Sequence, residues 1–263
     1  MKTLALDLLS RSRITLLWWI AGMAAMGAYV VGVYDSIGNL EDLRKLYEGY
    51  PEAIRKLVGD VDISTLNGWI QVELLSWMPL ILAIYAGIFA ASHISRETEQ
   101  RTIDFVLGLP VSRTEFLLSR IVVGAANMAT ICLAIFVLLM IEVPLVGHDP
   151  SPERYALALS NAFLVGAALF AAYVLIASFT DDQGRVTGIT LGVTLLLYVV
   201  RGALQAANAP DVVLWLTPFE HYHAAEAMSG RAVPVLPLII LPLVGIVEGA
   251  AAVYWFNRRD IAT

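Results

Sequence analysis

Cysteine is almost missing from this chain of 263 residues: the single one, Cys132, sits inside an apolar run. One cysteine excludes an internal disulfide, and without a CxxC pair there is no thiol site for a metal or for redox chemistry. Charge is scarce too. Asp, Glu, Lys and Arg make up 15% of the residues and hydrophobic types 58%, against about 25% and about 45–50% in soluble domains. The formal charge of −6 speaks against a nucleic-acid partner, which wants a basic face. The chain has no G-x-x-x-x-G-K-[ST] loop, so it carries no phosphate cradle and is not expected to hydrolyse ATP by itself. No A-x-A site follows the first apolar run. That run also exceeds the 7–15 residues, roughly, of a signal-peptide core, so it is expected to stay in place.

Apolar runs are what the chain has in quantity, and the mean hydropathy is +0.71. A membrane-crossing helix needs about 20 mostly apolar residues. Six runs qualify, at about 14–34, 74–94, 121–146, 156–179, 186–206 and 235–256. The runs are continuous rather than alternating, which predicts helices and not a barrel. The expected fold is an all-α membrane protein with six transmembrane helices in one domain, 1–263. With the N-terminus inside, most Lys and Arg near the span ends fall inside, including Lys2, Arg11, Arg13, Arg96, Arg120 and Arg258. The bias predicts that both termini are cytoplasmic. Trp18 and Trp19 then lie near the inner surface, and Trp69, Trp77 and Trp215 near the outer one, as interfacial belts do.

Three connections carry further information. Between spans one and two, Leu40, Leu43, Leu46, Tyr47 and Tyr50 recur at helical spacing, and Pro51 can open a second amphipathic helix. These are expected on the outer membrane surface. The loop between spans two and three reads SRETEQRTIDFVLGLPVSRTEFLLS. Glu97 to Leu107 suits a short helix, Gly108 can end it, and Pro110 forces a new direction. Ser112 followed by Glu115 has the spacing of a capping box. Helix, turn, helix along the membrane suits either a docking site for a cytoplasmic partner or an interfacial anchor. Between spans five and six, the stretch 218–228 is expected as a surface or re-entrant helix.

Charge at membrane depth is costly, about 2.5–3.5 kcal/mol on insertion scales, and suggests function by default. Glu248 falls near the centre of span six. It meets a substrate, a proton or a partner charge, or else it is packing. Arg201, in the outer part of span five, either snorkels outward or pairs with Glu142 at the end of span three. Asn127 and Asn161 are expected to join helices, and Pro79 to kink span two. His221 and His223, with Glu220 and Glu226 nearby, invite a metal reading, but the histidines stand two apart on different helix faces and no third ligand is compelling, so no metal site is expected.

The run from Ser95 to Ile121 resembles a segment of ABC-2 type transporter permeases that reads like E-x-E-x-G-T-x-D/E-x-L-L-x-x-P-V-S-R. Glu97, Glu99, Thr102, Asp104, Leu107, Pro110, Val111, Ser112 and Arg113 occupy its places, while Arg101 stands where the family often has Gly. LTPFEHYHAAEAMSG looks like the family's S-P-F-x-Y-x-x-x-E segment, and WFNRRDIA like its F-x-R-R-D-L tail. The resemblance implies an exporter-type permease subunit in a prokaryotic plasma membrane. Two such subunits, a homodimer in the simplest case, would pair on two copies of a cytoplasmic ABC ATPase that binds the ATP and Mg. A coupling helix at about 97–108 would dock on that ATPase, which gives Glu97, Glu99, Arg101, Thr102, Asp104, Leu107, Pro110 and Arg113 a coupling role. The stretch 181–186 would be a second contact and 2–13 an interfacial helix. The chain itself would bind no cofactor.

The alternative on the same fold is a non-transporting immunity or sensor subunit. A membrane-embedded protease would need paired acids and histidines within helices. Here Glu97 and Glu99 are not adjacent and lie in a loop, and none of the four histidines is mid-membrane. The apolar interior favours hydrophobic or amphipathic molecules over sugars.

Overall fold

The computed structural model describes residues 2–36, 45, 48–49, 62–95 and 112–258. Every long element in it is helical. α1 covers Lys2–Ser36 in one unbroken run of 35 residues. At about 1.5 Å per residue it is roughly 52 Å long, more than the ~30 Å of a hydrocarbon core, so part of it lies beyond the bilayer interior. The stretch 2–13, expected at the interface, forms its first turns, with Leu8 and Ser12 buried. The amphipathic stretches expected between 37 and 61 lie outside the described residues, apart from three positions.

The second span is built in pieces. α2 (Leu66–Glu73) starts at Thr65, whose Oγ1 accepts from the Gly68 amide at 3.1 Å. It stops at Leu74, which leaves helical geometry with φ −120° and ψ −60°. A single 3₁₀ turn, Leu75–Trp77, leads into α3 (Met78–Ala90), with Pro79 in its first turn. A proline there gives up no hydrogen bond, so the break falls before Pro79 and not at it. A π-helical turn, Ala91–Ser95, ends the span.

α4 (Arg113–Leu145) opens on the capping box read from spacing. The Glu115 amide donates to Ser112 Oγ at 3.1 Å, and the Ser112 amide donates to Glu115 Oε2 at 3.1 Å. α5 (Pro152–Phe179) begins on a proline, and α6 (Gln183–Ala206) begins at Asp182, which accepts from the Arg185 amide at 2.8 Å. Short pieces follow: α7 (Asp211–Leu214), a 3₁₀ turn Pro218–His221, and α8 (Ala224–Ser229), closed by Gly230 at φ +74°. α9 (Val235–Arg258) is the sixth span.

α5 and the α2–α3 span form the centre of the bundle: in their most apolar windows 56% and 67% of residues are buried, against 17% for α6 and α9 and 22% for α1. The outer helices therefore present their apolar sides to lipid or to another protein. Lipid supplies no hydrophobic drive between helices, so close fit and interhelical hydrogen bonds hold such bundles. Gly124 of α4 shows the fit, since a Cβ there would run into the Phe170 ring. Asn127 shows the bonding: its Nδ2 donates to Ser12 Oγ of α1 at 3.1 Å and to Tyr85 Oη of α3 at 2.9 Å.

Candidate functional site

Three places gather the polar groups: the end of the bundle that carries both termini, the opposite end, and one cavity between them.

At the termini end, α3 and α4 hand the chain into and out of the loop singled out in the sequence. Glu97, Glu99, Arg101, Thr102, Asp104, Leu107 and Pro110 lie outside the described residues. Arg113 is the half-buried first residue of α4. The frame around the loop is firm. Arg120 is buried, its guanidinium carbon 3.6 Å from the Phe116 ring centroid, and its Nη1 donates to Ser119 Oγ at 2.8 Å. Its Nε donates to the His93 carbonyl in the π turn at 3.4 Å. Phe116 stacks on Phe256 of α9 at 5.7 Å, and Asn257 Nδ2 donates to Thr114 Oγ1 at 2.8 Å. Both ends of the loop are thus fixed to the same corner of the bundle. Sequence reasoning counted Arg120 only as a basic residue near a span end. The signal available was a cation about two turns inside an apolar helix, which has to be paired or stacked to be buried. The second expected contact on this side, 181–186, has Asp182 and Arg185 exposed.

At the opposite end, residues 215–230 fold back onto the bundle. The segment 218–228, expected as one helix, is instead a 3₁₀ turn and α8 separated by two non-helical residues, Tyr222, which is extended, and His223. Asn161 of α5, fully inside, holds that break: its Nδ2 donates to the His221 carbonyl at 3.1 Å, and its Oδ1 accepts from the His223 amide at 2.6 Å. It joins a helix to a loop rather than two helices. Tyr222 Oη donates to the Leu75 carbonyl at 2.7 Å, just where the second span is broken. His221 Nε2 lies 3.0 Å from the Trp215 carbonyl, and burial holds its pKa below the ordinary value. The carboxyl of Glu226 is held below its ordinary range, first by its hydrogen bond with His223. Among the described residues no three His, Cys, Asp or Glu side chains come together as a metal would need.

Arg201 finds its partner here as well. Its Nε sits 2.9 Å from Glu220 Oε2, which also accepts from Gln205 Nε2 at 2.9 Å. The expected choice between snorkelling and Glu142 is replaced by this pair, because the loop brings Glu220 down beside α6. Glu142 faces α1 instead: its Oε2 would lie 3.0 Å from a Cβ at Gly27 and has no hydrogen-bond partner among the described residues.

Glu248 lies on α9 beside a cavity of about 410 Å³ between α5, α6 and α9, roofed by Trp215, Leu216, Pro218 and His221. Its Oε2 is buried without a hydrogen-bond partner among the described residues. Glu248, Arg201 and Glu142 are therefore three separate places, not one site.

Six helices long and apolar enough to cross a bilayer, packed around a central pair, make this a multi-pass helical membrane protein. The chain belongs to the ABC-2 family transporter proteins, whose family model matches residues 9–261. It is accordingly a transmembrane subunit of the ABC transporter class, of a kind that works with an ABC ATPase and is generally not catalytic itself. No curated protein matches the chain.

Proposed function

We propose that the chain is the permease half of an ABC exporter and is driven by a separate cytoplasmic ATPase. Two copies, each on its own ATPase subunit, form the pathway, and ATP and Mg are bound by the ATPase. Both termini and the loop 96–111 then face the cytoplasm of a prokaryotic cell. Glu97, Glu99, Arg101, Thr102, Asp104, Leu107, Pro110 and Arg113 form or flank the contact with the ATPase, and 181–186 makes a second one. The observation that carries this reading is the family match over nearly the whole chain, supported by the fixed corner from which the loop emerges. Arg120, Phe116 and the π turn tie the loop's two ends to α3, α4 and α9. A push on the loop therefore moves three helices together and can change access to the space between two copies.

The test is ATPase stimulation in a reconstituted complex. Glu99→Lys and Asp104→Lys should each abolish stimulation while the protein still inserts and purifies as wild type does. Full stimulation in both variants would remove the loop from the coupling role. A complex that hydrolyses ATP but moves no substrate would point to the non-transporting alternative.

A further inference from the structure

The cavity beside Glu248 has a chemistry that selects among ligands. Glu248 sits roughly 20 Å along α9 from Val235 and roughly 15 Å from Arg258 at about 1.5 Å per residue, near mid-membrane. The cavity walls are otherwise aliphatic and aromatic: Val193 and Leu197 on α6, Tyr173 on α5 and Trp215 above. Its volume of about 410 Å³ lies within the range of roughly 300–1,000 Å³ for small-molecule pockets.

The acid is not satisfied by its neighbours. Its Oε2 is buried with no hydrogen-bond partner among the described residues. Among the described residues no Lys or Arg lines the cavity. Tyr173 Oη is engaged by Thr194 Oγ1, and His221 by the Trp215 carbonyl. Burial favours the neutral form of His221, so it does not serve as the counter-ion. The side chain as a whole is half-buried, and a carboxylate oxygen buried without a partner is costly unless something pairs with it.

We propose that this cavity binds a small organic cation with an apolar body, its charge held by Glu248 and its body by the aromatic and aliphatic walls. An inorganic divalent ion is the wrong shape of guest, because it needs several oxygen ligands and the cavity offers one carboxylate among apolar side chains. A neutral apolar molecule would leave the carboxylate unpaired. Tyr173 and Trp215 add the faces that attract organic cations. That the bound cation is cargo rests on the transport reading above; that it binds does not.

The experiment uses the purified full chain in nanodiscs, without ATPase, with empty nanodiscs as the blank. Radiolabelled tetraphenylphosphonium and tetraphenylborate, alike in shape and opposite in charge, are each measured alone. The wild type should bind tetraphenylphosphonium saturably and tetraphenylborate no more than the blank does. Glu248→Gln should weaken cation binding by about tenfold or more, as expected for one lost charge-assisted contact, and Glu248→Asp should largely retain it. Ala172→Trp, which fills the cavity without touching the charge, should abolish it. The proposal is overturned if the wild type shows no saturable cation binding, if both probes bind alike, or if Glu248→Gln binds as wild type does. Should Glu248→Gln fail to fold, Glu248→Asp and Ala172→Trp decide: loss in the second and retention in the first support the site, and any other pattern sinks it. Failure here leaves ATPase coupling untouched, and a chain with no ATPase partner would still bind the cation.

Discussion

Replacing Asn161 with Ala should loosen the roof of the bundle without disturbing its spans. Asn161 is 1% exposed and makes two hydrogen bonds to the loop backbone, at 3.1 Å and 2.6 Å. Removing both leaves a carbonyl at His221 and an amide at His223 without their partner. A buried hydrogen bond is worth about 0.5–1.5 kcal/mol net, and in membrane bundles about 0.6 on average. Two of them therefore come to roughly 2 kcal/mol, the middle of that range doubled. In a chain of this size 1 kcal/mol moves Tm by about 2–4 °C, so a fall of roughly 4–8 °C is expected in detergent. Because the loss is local, trypsin cleavage at the exposed Arg231 should accelerate well below the melting temperature. Asn161→Asp keeps the acceptor for His223 and should lie between wild type and Asn161→Ala. A Tm within about 1 °C of wild type, with unchanged cleavage at Arg231, would refute the view that this side chain holds the loop.

The same loop should weaken on acidification. Burial holds His221 below its ordinary 6.5, and the His223 bond holds Glu226 below 4.5. In both cases the unfolded loop takes up protons more readily, so stability is present above those values and lost as pH falls, first through 6.5 and then through 4.5. Tm should drop between about pH 7.5 and 5, and less so in His221→Phe; an equal drop in that variant contradicts the assignment. Gly124→Ala should destabilise by about 1–3 kcal/mol through overpacking against Phe170. Gly22→Ala, where an added Cβ meets nothing within 4 Å, should be close to neutral, and thermal melts of the pair check the contrast. Glu99→Lys and Asp104→Lys should separate insertion from ATPase stimulation, as set out above.

How much of this was visible in the residues follows from how local each feature is. The six spans were legible because about 20 continuous apolar residues suffice to define one. The Ser112–Glu115 box was legible because a capping box is a spacing rule within one turn. The Arg201–Glu220 pair was not, since nothing along the chain says that the loop after α6 folds back beside it. Pro79 misled for a related reason: it was read as a kink inside a helix, but the chain breaks at Leu74 and restarts, leaving the proline in a first turn. The segment 218–228 has helical composition throughout, yet Asn161, some sixty residues earlier in the chain, takes two of its backbone groups and interrupts it. For Glu248 the sequence supplied the depth. The cavity and the missing partner come only from how α5, α6 and α9 pack.

The central claim is that this chain is a permease moved by an ATPase it does not contain. The most direct measurement is isolation of the tagged chain from its native membrane in mild detergents, with mass spectrometry of what travels with it. The account predicts a stoichiometric partner bearing a phosphate-binding loop and an ABC signature. A chain that comes away alone, or only with partners that bind no nucleotide, in every mild detergent tried would contradict it.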